Sequence, residues 1–151
     1  MIQRKQTVFL LLSLIATVAC LCLPLGSIEL KGMGVSPVLY NLALVGTDGA
    51  YHFSYCPLFV FLALASLLSL VTIFAYRNRK LQMKLCRLNL LLICLWYAVF
   101  AYFVFVGFKE TGSFHQAIAA TLPFVSAVLQ WLAHRGIVAD EKLVRAADRI
   151  R

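Results

Sequence analysis

LFVFLALASLLSLVTIFAYRNRKLQMKLCRLNLLLICLWYAVFAYFVFVGF, residues 58–108, sets two apolar runs of 19 and 21 residues on either side of an eleven-residue segment with five basic side chains. Each run matches the roughly 20 residues that an α-helix needs to cross about 30 Å of hydrocarbon, and the segment between them is too charged to lie there. The stretch therefore reads as two membrane spans joined at a surface. Working outward, residues 7–25 and 116–133 form two further apolar runs. With 62% apolar and 13% charged residues, the 151-residue chain is far from a soluble domain, where about half are apolar and about a quarter charged. A soluble core of this size has no room for four such runs.

The expected fold is an all-α integral membrane protein, a four-transmembrane-helix bundle in one domain over residues 1–151. The spans fall at about 7–25, 58–76, 88–108 and 116–133, with an outer loop at 26–57, a connector at 77–87 and a tail at 134–151. Lys and Arg orient it. Twelve of the fourteen lie in the amino terminus (Arg4, Lys5), the connector (Arg77, Arg79, Lys80, Lys84, Arg87) and the tail (Arg135, Lys142, Arg145, Arg149, Arg151), which alternate with the two poor segments. Basic residues of short loops stay on the cytoplasmic side, so both termini are expected inside. That face carries 12 basic against 3 acidic residues, the outer face 2 against 3. The charge asymmetry accounts for the net +8 without a nucleic-acid partner, and points to anionic headgroups at the inner face.

In the outer loop, SIEL, VLYNLALV and AYHFSY have strand character, and Gly46-Thr47-Asp48-Gly49 supplies a turn, so residues 38–55 read as a small extracytoplasmic β-hairpin. Tyr40, Leu42 and Leu44 alternate with Asn41 and Ala43 along its first strand. Pro123 is expected to bend the fourth span. In the tail, Leu143, Val144, Ala147 and Ile150 form a stripe opposite Lys142, Arg145 and Arg149, the pattern of a short, separate amphipathic helix on the cytoplasmic side.

Chemistry has few footholds. Cys20, Cys22 and Cys56 share the outer depth, where three readings stay open: packing, a disulfide from Cys56 to Cys20 or Cys22, and thiol-redox catalysis. Cys-x-Cys lacks the spacing of common redox sites. His52, His115 and His134 are dispersed, which leaves no metal site, and no phosphate loop, nucleophile elbow or carboxylate pair suggests a catalytic residue or a cofactor. A pump normally holds an ionisable group at mid-membrane, and none of these spans does. Their polar residues, among them Ser13, Thr17, Ser66, Ser69, Ser126 and Gln130, suit bonds between helices.

Three strings carry a resemblance: MIQRKQT at the start, YRNRKLQMKLCRLN in the middle and DEKLVRAADRIR at the end. Together they resemble an uncharacterised Bacteroidetes family of small four-helix inner-membrane proteins, domain of unknown function 4293. The resemblance spans the chain and implies four transmembrane helices in a bacterial cytoplasmic (inner) membrane; it implies no activity. It also implies a partner-facing surface where this sequence matches the family pattern, at Arg4, Arg79, Lys80, Arg87, Asp140, Glu141, Arg145, Asp148 and Arg149. The expected function is a non-enzymatic scaffold or accessory subunit with a basic lipid- and partner-facing surface formed by Arg79, Lys80, Lys84, Arg87, Arg145 and Arg149. The alternatives are a thiol-redox enzyme using the outer cysteines and a small-molecule channel or exporter.

Overall fold

The structure, a computed structural model, describes residues 3–30, 36–108 and 112–148. Four helices dominate it: α1 (Gln3–Cys22), α2 (Cys56–Phe74), α3 (Arg79–Tyr102) and α4 (Leu122–Asp148). Their polarity is inverted relative to a soluble bundle. Leu11, Ile15, Leu67, Leu91 and Val128 point outward, while Ser13, Thr17, Ser69, Thr72, Asn89, Ser126 and Gln130 are buried. Hydrocarbon outside the bundle gives apolar groups no reason to turn inward, and polar groups find partners only between helices. Three stretches, Phe53–Phe74, Arg79–Gly107 and Ile118–Val144, are long and apolar enough to cross a membrane, and the protein is a multi-pass membrane protein. The apolar part of α1, Gln6–Cys22, is shorter.

The helix ends follow from local chemistry. Pro24 has no N–H to continue α1, which stops at Cys22, short of the expected Leu25. Pro57 occupies the first turn of α2, where a missing donor costs nothing. Asn78 caps α3 by accepting from the Leu81 backbone N–H at 3.3 Å. The expected connector at 77–87 is thus largely helical, forming the first turns of α3.

Two expectations about the last helix are corrected. Pro123 lies in the first turn of α4, just after a 3-10 turn over Ile118–Thr121, so it starts the helix instead of bending it. The tail is not a separate helix. Gly136 is accommodated within α4, which runs unbroken to Asp148; at about 1.5 Å per residue its 27 residues exceed a bilayer core, and the final turns project beyond it.

Beyond the ends of the helices lies a five-stranded antiparallel sheet, larger than the expected hairpin. Its strands are β1 (Gly26–Leu30), β2 (Val38–Leu39), β3 (Leu44–Val45), β4 (Tyr51–His52) and β5 (Gly112–Gln116), in the order β4-β3-β2-β1-β5. The segment expected as a plain turn between the third and fourth spans supplies β5, which pairs with β1 from Gly26 opposite Gln116 to Leu30 opposite Gly112. Gly26 permits that approach, since a Cβ there would sit 2.5 Å from the His115 carbonyl oxygen. VLYNLALV is two strands, folded back where the Tyr40 N–H donates to the Ala43 carbonyl at 3.0 Å. The Gly-Thr-Asp-Gly turn joins β3 to β4 as expected, with Gly49 at φ 72°. Phe53–Tyr55 leaves the sheet as a 3-10 turn into α2.

Sheet and bundle share an apolar core of Cys20, Leu25, Ile28, Leu39, Leu58, Leu62, Trp96, Phe100, Phe108 and Ala120. Phe114 meets Phe100 edge-on at 5.9 Å and stacks on Phe108 at 5.6 Å, which fastens β5 to α3 and to the segment that follows it. A second, smaller cluster of Leu10, Cys86, Ala133 and Ile137 closes the opposite end.

Candidate functional site

That opposite end gathers the beginning of α1, the turn between α2 and α3, and the last turns of α4. Residues 130 apart in sequence meet there. Gly136 presents no side chain, so Gln6 lies against α4; a Cβ on Gly136 would come within 3.1 Å of Gln6 Cγ. From that position Gln6 Nε2 donates to Asp140 Oδ2 at 2.6 Å. Gln82 Nε2 donates to the Thr72 carbonyl at 3.3 Å, tying α3 to the end of α2.

The basic residues singled out from the sequence divide unevenly. Arg79, Lys80, Lys84 and Arg87 come together on the first turns of α3; Lys80, Lys84 and Arg87 are exposed and their i, i+4, i+7 spacing puts them along one face, while Arg79 is half-buried. Arg145 lies on the last turns of α4, but its side chain, like all of Arg149, falls outside the described residues. Arg135 was not among the candidates. Its guanidinium carbon stands 4.8 Å from the centre of the Trp131 ring, a cation–π contact between α4 residues four apart.

Between α1, α3 and α4 the same end holds a crevice of about 440 Å³. Val8, Leu11 and Ile137 form its apolar part, and Gln6, Tyr76, Arg79, Gln82 and Asp140 its polar part. A shallower depression of about 290 Å³, lined by Asn78, Arg79, Lys80, Glu141 and Val144, shares Arg79 with it. Gln6, Tyr76 and Gln82 were not singled out from the sequence. Gln6 and Tyr76 stand at the edges of apolar runs, a weak local signal, and Gln82 lies within the basic connector, where nothing local marks it.

Mid-bundle, polar groups form cross-links between helices. Ser13 and Ser126 share a 2.7 Å bond between α1 and α4. Ser69 Oγ accepts from Asn89 Nδ2 and from Gln130 Nε2, each at 2.7 Å, and donates to the Ala65 carbonyl at 3.0 Å, joining α2, α3 and α4 at one oxygen. Asn89 Oδ1 and Gln130 Oε1 are buried there without a hydrogen-bond partner. Neutral amides and hydroxyls exchange hydrogen bonds without titrating, so this cluster holds helices together without supplying an acid–base group.

Cys20, Cys22 and Cys56 occupy three environments. Cys20 is wholly buried, with its sulfur 3.8 Å from Asn41 Nδ2; Cys22 is exposed; Cys56 is half-buried and its thiol donates to the Leu42 carbonyl at 3.7 Å. All are free thiols, as are Cys86 and Cys94. Among the described residues no three His, Cys, Asp or Glu side chains gather as a metal site. His115 Nε2 lies 3.2 Å from Glu29 Oε2 across β5 and β1, both well exposed.

Asn41, read from the sequence as one alternating strand residue, has a larger role. It is buried, donates to the Cys20 carbonyl at 2.7 Å and accepts from Trp96 Nε1 at 3.0 Å, which binds the sheet to the ends of α1 and α3.

No curated protein matches this sequence. A family described as Domain of unknown function (DUF4293) matches it over residues 2–150, and the chain belongs to that family.

Proposed function

We propose that the protein is a non-enzymatic membrane scaffold or accessory subunit of the bacterial cytoplasmic (inner) membrane, crossing it four times with both termini inside. Its basic end meets anionic headgroups and a protein partner. The observation that carries this reading is the convergence of segments: Lys80, Lys84 and Arg87 of α3, Arg135 and Lys142 of α4, and the first turn of α1 with Arg4 and Lys5 all belong to one end of the bundle, while the sheet caps the other. Each basic residue near an anionic surface contributes about 1 kcal/mol of attraction. Apolar packing and interhelix bonds fill the interior, and the basic end brings exposed charge within reach of a partner.

The test is crosslinking in membranes, comparing wild type with a variant carrying Lys84→Gln, Arg87→Gln, Arg145→Gln and Arg149→Gln. Loss of specific crosslinked proteins together with a fall in co-purified anionic lipid is expected. Identical protein partners and identical lipid would overturn the proposal.

A further inference from the structure

We infer that the crevice between α1, α3 and α4 is a binding site for a zwitterionic phospholipid whose headgroup ends in a primary ammonium, a phosphatidylethanolamine. The inference rests on the reading above only in placing the basic end at the membrane surface. Three observations converge on this ligand. The crevice is amphipathic in the direction a lipid requires: Val8 and Leu11, 51% and 48% exposed, continue the outward apolar face of α1, and the polar groups sit beyond them. Its volume of about 440 Å³ lies within the range of small-molecule sites. Most tellingly, its charges are of both signs. Arg79 stands on one wall and Asp140 on another, and the adjoining depression repeats the pairing with Lys80 and Glu141.

The two signs decide among headgroups. A phosphodiester bridges naturally to a guanidinium, which offers five donors, and among the described residues Arg79 has no salt bridge to consume them. Asp140 receives one bond, from Gln6, and an ionised carboxylate accepts about four. A primary ammonium donates three. Phosphatidylcholine carries the same net charge, but its quaternary nitrogen has no N–H to give Asp140; phosphatidylglycerol has no cation at all and would set an anionic lipid against a carboxylate. Gly136 and Gln6 thus serve as positioning residues, since the glycine admits Gln6 and Gln6 holds Asp140 on the crevice wall.

The experiment is native mass spectrometry of the full-length protein, titrated in turn with phosphatidylethanolamine, phosphatidylcholine and phosphatidylglycerol of identical acyl chains. Wild type is expected to retain phosphatidylethanolamine about tenfold better than phosphatidylcholine. Asp140→Asn, which keeps an acceptor for Gln6, should erase that preference; Asp140→Glu, which keeps the charge, should retain it. Arg79→Gln should weaken phosphatidylethanolamine and phosphatidylcholine alike, because both present a phosphate. Equal retention of the two lipids by wild type, or an unchanged preference in Asp140→Asn, overturns the inference. Phosphatidylglycerol enrichment, and its loss in a Lys84→Gln/Arg87→Gln protein, reports separately on the basic surface. If that enrichment holds while the ethanolamine preference is absent, the crevice assignment fails and the basic-surface reading stands. If the preference holds without the enrichment, the crevice assignment stands and the basic-surface reading fails.

Discussion

One amide, that of Asn41, joins three segments. Its nitrogen serves the Cys20 carbonyl at the end of α1 and its oxygen takes the indole N–H of Trp96, all out of reach of water. Replacing it with Ala leaves a buried donor and a buried acceptor unpaired, and each such group costs about 1–3 kcal/mol. Asn41→Ala is therefore expected to lower unfolding stability in detergent by about 2–4 kcal/mol, measured by thermal or denaturant unfolding followed through the Trp fluorescence. Asn41→Asp is expected to be no milder, because it sets a carboxylate against the buried Cys20 carbonyl; a loss below about 1 kcal/mol in Asn41→Ala would show that the two bonds contribute little. Alternation with Tyr40, Leu42 and Leu44 tells nothing of this role, because period-two alternation is a local signal and the Trp96 partner lies 55 residues away. By contrast Ser13, Ser69, Ser126 and Gln130 were legible as interhelix groups, since a polar side chain inside an apolar run has few other uses.

Helices α2, α3 and α4 meet at Ser69, and the way they meet predicts an unusual sign. Ser69→Ala removes the acceptor shared by Asn89 and Gln130 and strands two amide N–H groups in a dry interior, for an expected loss of about 2–4 kcal/mol. Because Asn89 Oδ1 and Gln130 Oε1 already lack partners, adding Asn89→Leu and Gln130→Leu removes every stranded group at once. The triple variant is expected to recover most of that loss, and unfolding of the single and triple variants side by side checks it; a triple variant less stable than Ser69→Ala would show that helix spacing, not hydrogen bonding, sets the cost. Element boundaries were legible where composition changes abruptly, as at Pro57, whereas α3 begins at Arg79, inside the expected connector. They were not legible where tertiary pairing overrides it. Residues 112–116 become a strand because β1 offers an edge and Phe114 stacks on Phe108, facts no local window contains. The tail stays in α4 because Gly136, a helix-weakening residue elsewhere, is here the place where Gln6 packs.

The molecule as a whole separates its chemistry along one axis, with twelve of its fourteen Lys and Arg in the segments of one end, apolar surface along the middle and an aromatic-rich sheet at the other. In the proposed arrangement α1 crosses the membrane with the other three helices. Its apolar part is the shortest, yet it reaches from the basic end to the sheet: Gln6 bonds Asp140 at the basic end, Ser13 bonds Ser126 midway, and Cys20 reaches Asn41 at the sheet end. Leaving α1 outside the membrane would break all three links and expose Ser126 to lipid. Four crossings put both termini on one side, whereas three would put them on opposite sides. Epitopes at the amino terminus, at the carboxyl terminus and within the turn at Asp48 distinguish these arrangements in intact spheroplasts. The turn epitope is expected to be open to external antibody and protease, and both terminal epitopes to be protected until the membrane is permeabilised. An externally accessible amino terminus with a protected carboxyl terminus would reduce the crossings to three, and accessibility of both termini with a protected turn would reverse the orientation that the basic residues specify.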